Sequence, residues 1–270
     1  MLPYLLKLKR KGADRVKYII NSTNFLGQKI TAWLSSLSGE ITEITNDLNN
    51  IEDDDCIIYL PADQESIQVQ INNFENLLIR LKNKKIDLML VSMFADQSNN
   101  PYLFSAVYGY MQRRLAASNI NYTLVRYGVL ADSIVKDIPQ IRKDKKIQCP
   151  CGINKISFIT ANDVAHAVAR IAVYKFLHNK RGQSYLLTTP QGFNMMEIAY
   201  LLSQILEEEI EYAPQDNFET SGMDLSLAKA ASLGLLEQVS DDFQLITGRE
   251  PEDLNHFIRN SYQLTKLIQG

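Results

Sequence analysis

Residues 16–37, VKYIINSTNFLGQKITAWLSSL, decide how the rest of the chain reads. The run from Val16 to Asn21 is apolar and rich in β-branched residues, the composition of a strand buried on both faces. Ser22 to Phe25 is a tight turn, and an amphipathic helix is predicted from Leu26 to about Leu37. A buried strand running directly into such a helix is the unit of a parallel sheet, because parallel neighbours need a crossover connection.

Outward from this unit the alternation repeats. ITEIT (41–45) reads as a short strand, an acidic loop ends at Asp53–Asp55, and CIIYLP (56–61) is a second buried run. A polar-faced helix over 64–83 follows, then the strand DLMLVS (87–92), a helix over 101–118 and the strand YTLVRYG (122–128). Successive units of this kind predict an α/β fold with a doubly wound parallel sheet. Beyond Gly128 the rhythm changes. A polar, lysine-containing stretch at 136–148 leads to the strand KISFIT (155–160), a helix over 161–178 and the strand SYLLTT (184–189). Asn162 or Asp163 is the expected cap of that helix. Pro190, Gln191 and Gly192 then break the chain before helices near 194–206 and 224–236 and a final one from Pro251. The predicted organisation is a basic leader over 1–14, a sheet domain over 15–190 and a small, mostly helical annex over 191–270.

With 270 residues, 46% hydrophobic and 22% charged, the chain can bury a sizeable core. A net charge of −3 argues against a nucleic-acid partner, although Lys7, Lys9, Arg10, Lys11 and Arg15 cluster at the start. That cluster reads as a solvated amphipathic leader. Leu2 to Leu6 is too short for a signal segment, no stretch has transmembrane length, and a cytoplasmic location is expected. Three cysteines do not make a disulfide framework, and Cys56 sits in a strand-like run where a buried free thiol is expected. Cys149 and Cys151 form a lone C-P-C that offers half the donors of a zinc site, so no metal is predicted.

Three stretches carry a family resemblance: RLAASNINYTLVRYGVL (114–130), KISFITANDVAHAVARIAV (155–173) and GQSYLLTTPQGFNMMEIAYLLSQIL (182–206). ITGREPEDLNHFI (246–258) adds a weaker one. In this order they resemble the NmrA-like, atypical branch of the short-chain dehydrogenase/reductase superfamily, which includes quinone-oxidoreductase-like enzymes and nucleotide-sensing regulators. The resemblance implies a Rossmann-like sheet and a dinucleotide site at its first turn.

The family pattern at that turn is Gly-x-x-Gly-x-x-Gly, and the matching positions here are Asn21, Asn24 and Gly27. The loop that would meet a cofactor is therefore Asn21, Ser22, Thr23, Asn24, Phe25 and Gly27. Asparagine tolerates left-handed backbone, so the turn can survive, but its side chain is expected to intrude on the volume of a diphosphate. Gly27 keeps the role of close helix packing. Only residues 21–55 separate the first strand from CIIYLP, so one strand–helix unit is expected to be missing near the N-terminus, including the strand whose end reads the adenosine ribose. Thr45, Asn46 and Asp47 replace it only where 41–45 takes the second-strand place. These departures disfavour NAD(P) as the cofactor without naming another.

The superfamily's chemistry resembles a Ser, Tyr-x-x-x-Lys arrangement. Ser92 closes the fourth strand and Tyr108 is the candidate tyrosine, but Gln112 stands where the lysine would, removing the cation that draws a tyrosine pKa below about 10. A tyrosine there can equally be packing its ring. Phe104, Tyr110, Arg126 and Tyr127 are the candidate pocket residues at the strand carboxyl ends. His166, His178 and His256 lack nucleophile partners at recognisable spacing and read as structural. The preferred reading is a ligand-binding or regulatory protein with a degenerate cofactor loop, or one with repurposed crevice chemistry. The alternatives are an active NAD(P)H-dependent reductase of a quinone or enone, and a structural subunit joined to a protein partner or to its own copy.

Overall fold

The computed structural model describes residues 16–38, 42–44, 50–62, 65–214 and 225–269. The leader over 1–14 lies outside them, as do Thr45, Asn46 and Asp47. Strand β1 (Tyr18–Ile20) runs through the turn at Asn21 into helix α1 (Phe25–Ser38), followed by β2 (Thr42–Ile44) and β3 (Cys56–Tyr59). Helix α2 (Ile67–Leu81), β4 (Asp87–Met93), α3 (Ser105–Ala116) and β5 (Asn121–Tyr127) complete the first half. The second half holds β6 (Val129–Leu130), α4 (Asp132–Asp144), β7 (Lys146–Ile147), β8 (Ile156–Ile159) and α5 (Ala161–Val173). It continues through β9 (Gln183–Leu187), β10 (Gly192–Phe193), α6 (Met195–Leu206), β11 (Glu211–Tyr212), α7 (Leu225–Ser232), α8 (Asp242–Thr247) and α9 (Leu254–Gln269).

The main sheet has the order β2-β1-β3-β4-β5-β9, every pair parallel. Strands β1 and β3 are buried throughout, which is why both read as unbroken apolar runs. Helices α1 and α5 cover one face with Leu26, Ile30, Leu34, Val164 and Val168, and α2 and α3 cover the other with Phe74, Leu77, Val107 and Met111. This is the doubly wound, Rossmann-like architecture, and its strand order reverses between β1 and β3.

Strand β2 corrects one expectation. It lies beside β1 on the side away from β3, with Tyr18 facing Thr42 and Cys56 on its two flanks. The second-strand place is therefore filled by residues 42–44. What is missing among the described residues is a strand beyond β2 and a helix between β2 and β3. Residues 45–55 are too few for a helical crossover followed by a strand.

Other boundaries also move. The stretch at 136–148 is largely helix α4, with Ile134 and Ile138 buried one turn apart although Pro139 lies inside it. The cap of α5 is Thr160, whose Oγ1 accepts the Asp163 N–H at 3.1 Å, in place of Asn162 or Asp163. That helix ends at Val173, and a 3₁₀ turn follows at Lys175–Leu177. The last helix starts at Leu254 because Asp253 Oδ1 accepts the His256 N–H at 2.9 Å, three residues beyond the expected Pro251. A second core joins Ile134, Ile156 and Phe158 to Ile198, Leu202, Leu254 and Ile258 from the C-terminal helices. No helix among the described residues is long and apolar enough to cross a membrane.

Candidate functional site

The turn after β1 is built by its two asparagines. Asn21 faces β3: its N–H donates to the Ile58 carbonyl at 3.4 Å, Nδ2 donates to the Leu60 carbonyl at 3.0 Å, and Oδ1 accepts the Leu60 N–H at 2.7 Å. Asn24 caps α1. Its Oδ1 accepts the Gly27 N–H at 2.8 Å and its main-chain oxygen the Gln28 N–H at 3.0 Å. Ser22 Oγ accepts the Asn24 N–H at 3.2 Å, and Gln28 Nε2 donates to the Thr23 carbonyl at 2.9 Å. Neither asparagine has a positive φ, so their tolerance of left-handed backbone is not used here. Gly27 is fixed by space, since a Cβ there would lie 2.2 Å from the Ser22 carbonyl oxygen. Both carboxamides, which were expected to intrude on a diphosphate, are hydrogen-bonded to main-chain groups of the fold.

A cleft of about 140 Å³ opens beside this turn, at the point where the strand order reverses. Asn24, Phe25 and Leu26 form its floor at the start of α1, and Leu60 and Pro61 border it from the end of β3. Val91, Ser92, Tyr108, Tyr127 and Leu130 close the far side. Ser92 is 2% exposed, and its Oγ has no hydrogen-bond partner. A buried hydroxyl without a partner is costly unless something else supplies one. The first four N–H groups of a helix have no partner within it. Since Asn24 engages those of Gly27 and Gln28, the N–H groups of Phe25 and Leu26 are the donors α1 offers beside the cleft.

Of the candidate residues, the structure brings Ser92, Tyr108, Tyr127, Asn24 and Phe25 together. It sets Phe104, Tyr110 and Arg126 apart from them. Phe104 packs behind the cleft against Tyr102, with ring centroids 5.6 Å apart. Tyr110 turns to α2, donating to Glu75 Oε1 at 2.8 Å, where the Arg114 guanidinium also binds and holds the Glu75 pKa low. Arg126 alternates with Tyr127 along β5 and so leaves by the other face of the sheet. It pairs with Asp96 at 3.6 Å and donates to Ser184 Oγ at 3.2 Å. Gln112 stands one turn from Tyr108, and its Nε2 is buried without a hydrogen-bond partner.

The histidines sit in structural settings. His166 stacks on Trp33 with ring centroids 4.2 Å apart. Burial, then the nearby Arg249 and Arg170 charges, pushes its pKa down to about 4. His178 Nδ1 lies 2.6 Å from the Ile171 carbonyl, and its Nε2 lies 3.4 Å from Asp87 at the amino end of β4, opposite the cleft. His256 Nε2 accepts from Asn260 at 2.8 Å. Two features went unread in the sequence. Asp163 takes Arg249 at 2.5 Å, and Cys149 is joined to Cys151 by a disulfide. The C-P-C spacing was the only signal for the second.

No family model matches the chain. It is 28% identical over 147 residues to an NAD(P)H azoreductase of Xenophilus azovorans, a match covering 54% of this chain and 48% of that protein. The chain spans about half the length of the curated relatives it matches. Among solved structures it is similar to a nucleoside-diphosphate-sugar epimerase from Staphylococcus aureus, 25% identical with a TM-score of 0.80, over 90% of this chain and 99% of that one. A triphenylmethane reductase of Citrobacter sp., 17% identical with a TM-score of 0.76 over 92% and 99% of the two chains, shares the fold. Taken with the strand order and the crevice at its reversal, these likenesses give the fold: a Rossmann-like parallel sheet similar to those of NAD(P)-dependent reductases and epimerases.

Proposed function

We propose that the chain binds a nicotinamide dinucleotide across this crevice and reduces a flat, conjugated acceptor. The observation that carries the reading is the placement of the two asparagine side chains, Asn21 on Leu60 and Asn24 on Gly27. With both carboxamides engaged there, the Phe25 and Leu26 N–H groups and the positive end of the α1 dipole favour a diphosphate at the first turn. Gly27 lets the helix start close enough to the strand for that contact. A bound dinucleotide would supply the hydride.

The remaining work falls to the chain's own residues. Ser92 Oγ is positioned to exchange a hydrogen bond with a polar atom of whatever fills the cleft, ending its isolation. Tyr108 and Tyr127, with Leu60 and Pro61, give the cleft apolar walls suited to a flat ring. The names of the similar proteins, an azoreductase and a reductase of triphenylmethane dyes, point to the same class of acceptor. A second reading, a binding or regulatory protein without turnover, draws on one observation: Gln112 offers no cation to Tyr108.

Thermal melting with NAD, NADH, NADP and NADPH separately tests the binding step. A ligand that binds only the native state stabilises it by about 2.7 kcal/mol at a hundred times its Kd, so one of the four is expected to raise the melting temperature by several degrees. Loss of the NAD(P)H absorbance with a quinone or an azo dye then tests reduction. No rise with any nucleotide overturns the proposal, while a rise without turnover favours the second reading.

A further inference from the structure

The C-P-C segment lies outside the crevice. Cys149 and Cys151 are 4% and 1% exposed, and their disulfide closes across Pro150 alone. A bridge over so short a loop removes little entropy from the unfolded chain; its effect is on local shape. It fixes residues 149–152, where Gly152 takes a φ of +71° and the Tyr212 hydroxyl lies 3.1 Å from the carbonyl oxygens of both Cys149 and Gly152.

A continuous path of hydrogen bonds and packing contacts runs from this loop to the crevice. Asn154 Nδ2 donates to the Ser232 carbonyl of α7 at 2.9 Å, and a Cβ on Gly152 would lie 3.3 Å from the Ser232 Cα. Helix α7 and the turn after it hold the loop 97–104: the Leu103 N–H donates to Ser226 Oγ at 3.0 Å, and Gln97 Nε2 to the Leu235 carbonyl at 3.0 Å. Tyr102, on that loop, lies 6.3 Å ring to ring from Tyr108, a wall of the crevice.

We propose that Cys149 and Cys151 form a reversible thiol–disulfide site, exchanged with low-molecular-weight disulfides, whose oxidation state sets how firmly α7 holds the wall of the crevice. In oxidation, local opening of the loop first exposes the two buried sulfurs; one cysteine thiolate then attacks the small disulfide, expelling one small thiol and leaving a mixed disulfide. The second cysteine thiolate displaces the other small thiol and closes the Cys149–Cys151 bond. Two electrons and two protons pass from the protein pair to the small disulfide, which leaves as two thiols, and reduction runs the same steps backward. Two separate thiols need more room than a bonded pair. In a close-packed core that room comes only by moving the loop, and the displacement reaches Ser232 first. The consequence for a bound nucleotide rests on the reductase reading; the exchange itself does not.

The test uses the full wild-type chain equilibrated in glutathione buffers of graded ratio, acid-quenched, alkylated and weighed. A form with all three cysteines alkylated is expected to interconvert with one alkylated at Cys56 alone. In the reduced form, amide exchange across 225–236 and 97–104 is expected to be about fivefold or more faster, with α2 unchanged. The melting temperature is expected to fall by roughly 3 °C. The Cys149→Ser/Cys151→Ser chain should match the reduced form in both buffers. A pair that does not respond to the buffers, or responds with equal amide exchange in the two states, overturns the proposal. Absence of nucleotide binding in both states, with the exchange difference intact, counts against the reductase reading alone.

Discussion

Asn21 holds both main-chain groups of Leu60 and so ties the end of β1 to the end of β3. Replacement by alanine leaves a part-buried N–H and carbonyl without their partner, which costs roughly 2 kcal/mol. Replacing the cap Asn24 by glycine costs only a few tenths, since glycine is itself an acceptable cap. Urea unfolding should therefore show Asn21→Ala with a clearly lowered midpoint at unchanged slope and Asn24→Gly near wild type; equal midpoints would contradict the separate roles. That these positions form the loop was legible in the sequence, because a strand, a polar turn and Gly27 stand in order. Their partners were not legible. A carboxamide can serve a ligand or a neighbouring backbone equally well, and the choice here depends on Leu60, 39 residues away.

Helix α5 shows the same division at the scale of an element. Its existence and its small, apolar face were readable from AHAVARIAV, which lets it lie against α1 and the sheet. Its cap was misassigned because Thr160, Asn162 and Asp163 are all good caps and only the fold shows which is free to serve. Helix α4 was missed for a related reason: Pro139 normally breaks a helix, and only the burial of Ile134 and Ile138 against the C-terminal helices shows that this one persists. Burial of His166, which stacks on Trp33, together with the Arg249 and Arg170 charges beside it, gives the fold a pH dependence. The folded His166 pKa is depressed to about 4, so the unfolded chain, with its ordinary value near 6.5, binds more protons between those limits. Stability is then full above about pH 6.5 and falls as pH drops through the window toward 4, by roughly 2 to 3 kcal/mol for this group. Denaturation followed by Trp33 fluorescence should show that loss, and His166→Gln should remove most of it; an unchanged slope in the variant would assign the effect elsewhere.

At the scale of the whole molecule, the last segment is fastened to helix α5 through a buried carboxylate, and to β9 through Asp242, which accepts the Leu186 N–H at 2.7 Å. Asp163, 1% exposed, accepts Arg249 Nη2 at 2.5 Å and the Glu252 N–H at 2.6 Å, and Arg170 on the same helix donates to the Ile246 carbonyl at 2.9 Å. These bonds place α8 and the start of α9 beside α5, on the face opposite α2 and α3. The sequence displayed the pieces, an aspartate opening one helix and GREPED before another, but nothing local says that they meet. Removing the cation while keeping the buried carboxylate is the costly change, because an unpaired charge away from water costs about 3–5 kcal/mol. Arg249→Met should therefore lower the unfolding free energy by about that amount. Adding Asp163→Asn to it should recover part of the loss, since the amide oxygen still accepts the Glu252 N–H and no charge is left stranded. The double-mutant cycle, read in urea, decides the point: a coupling near zero would mean that Arg249 holds the segment by packing on Phe243, 4.9 Å from its guanidinium, and not by its charge.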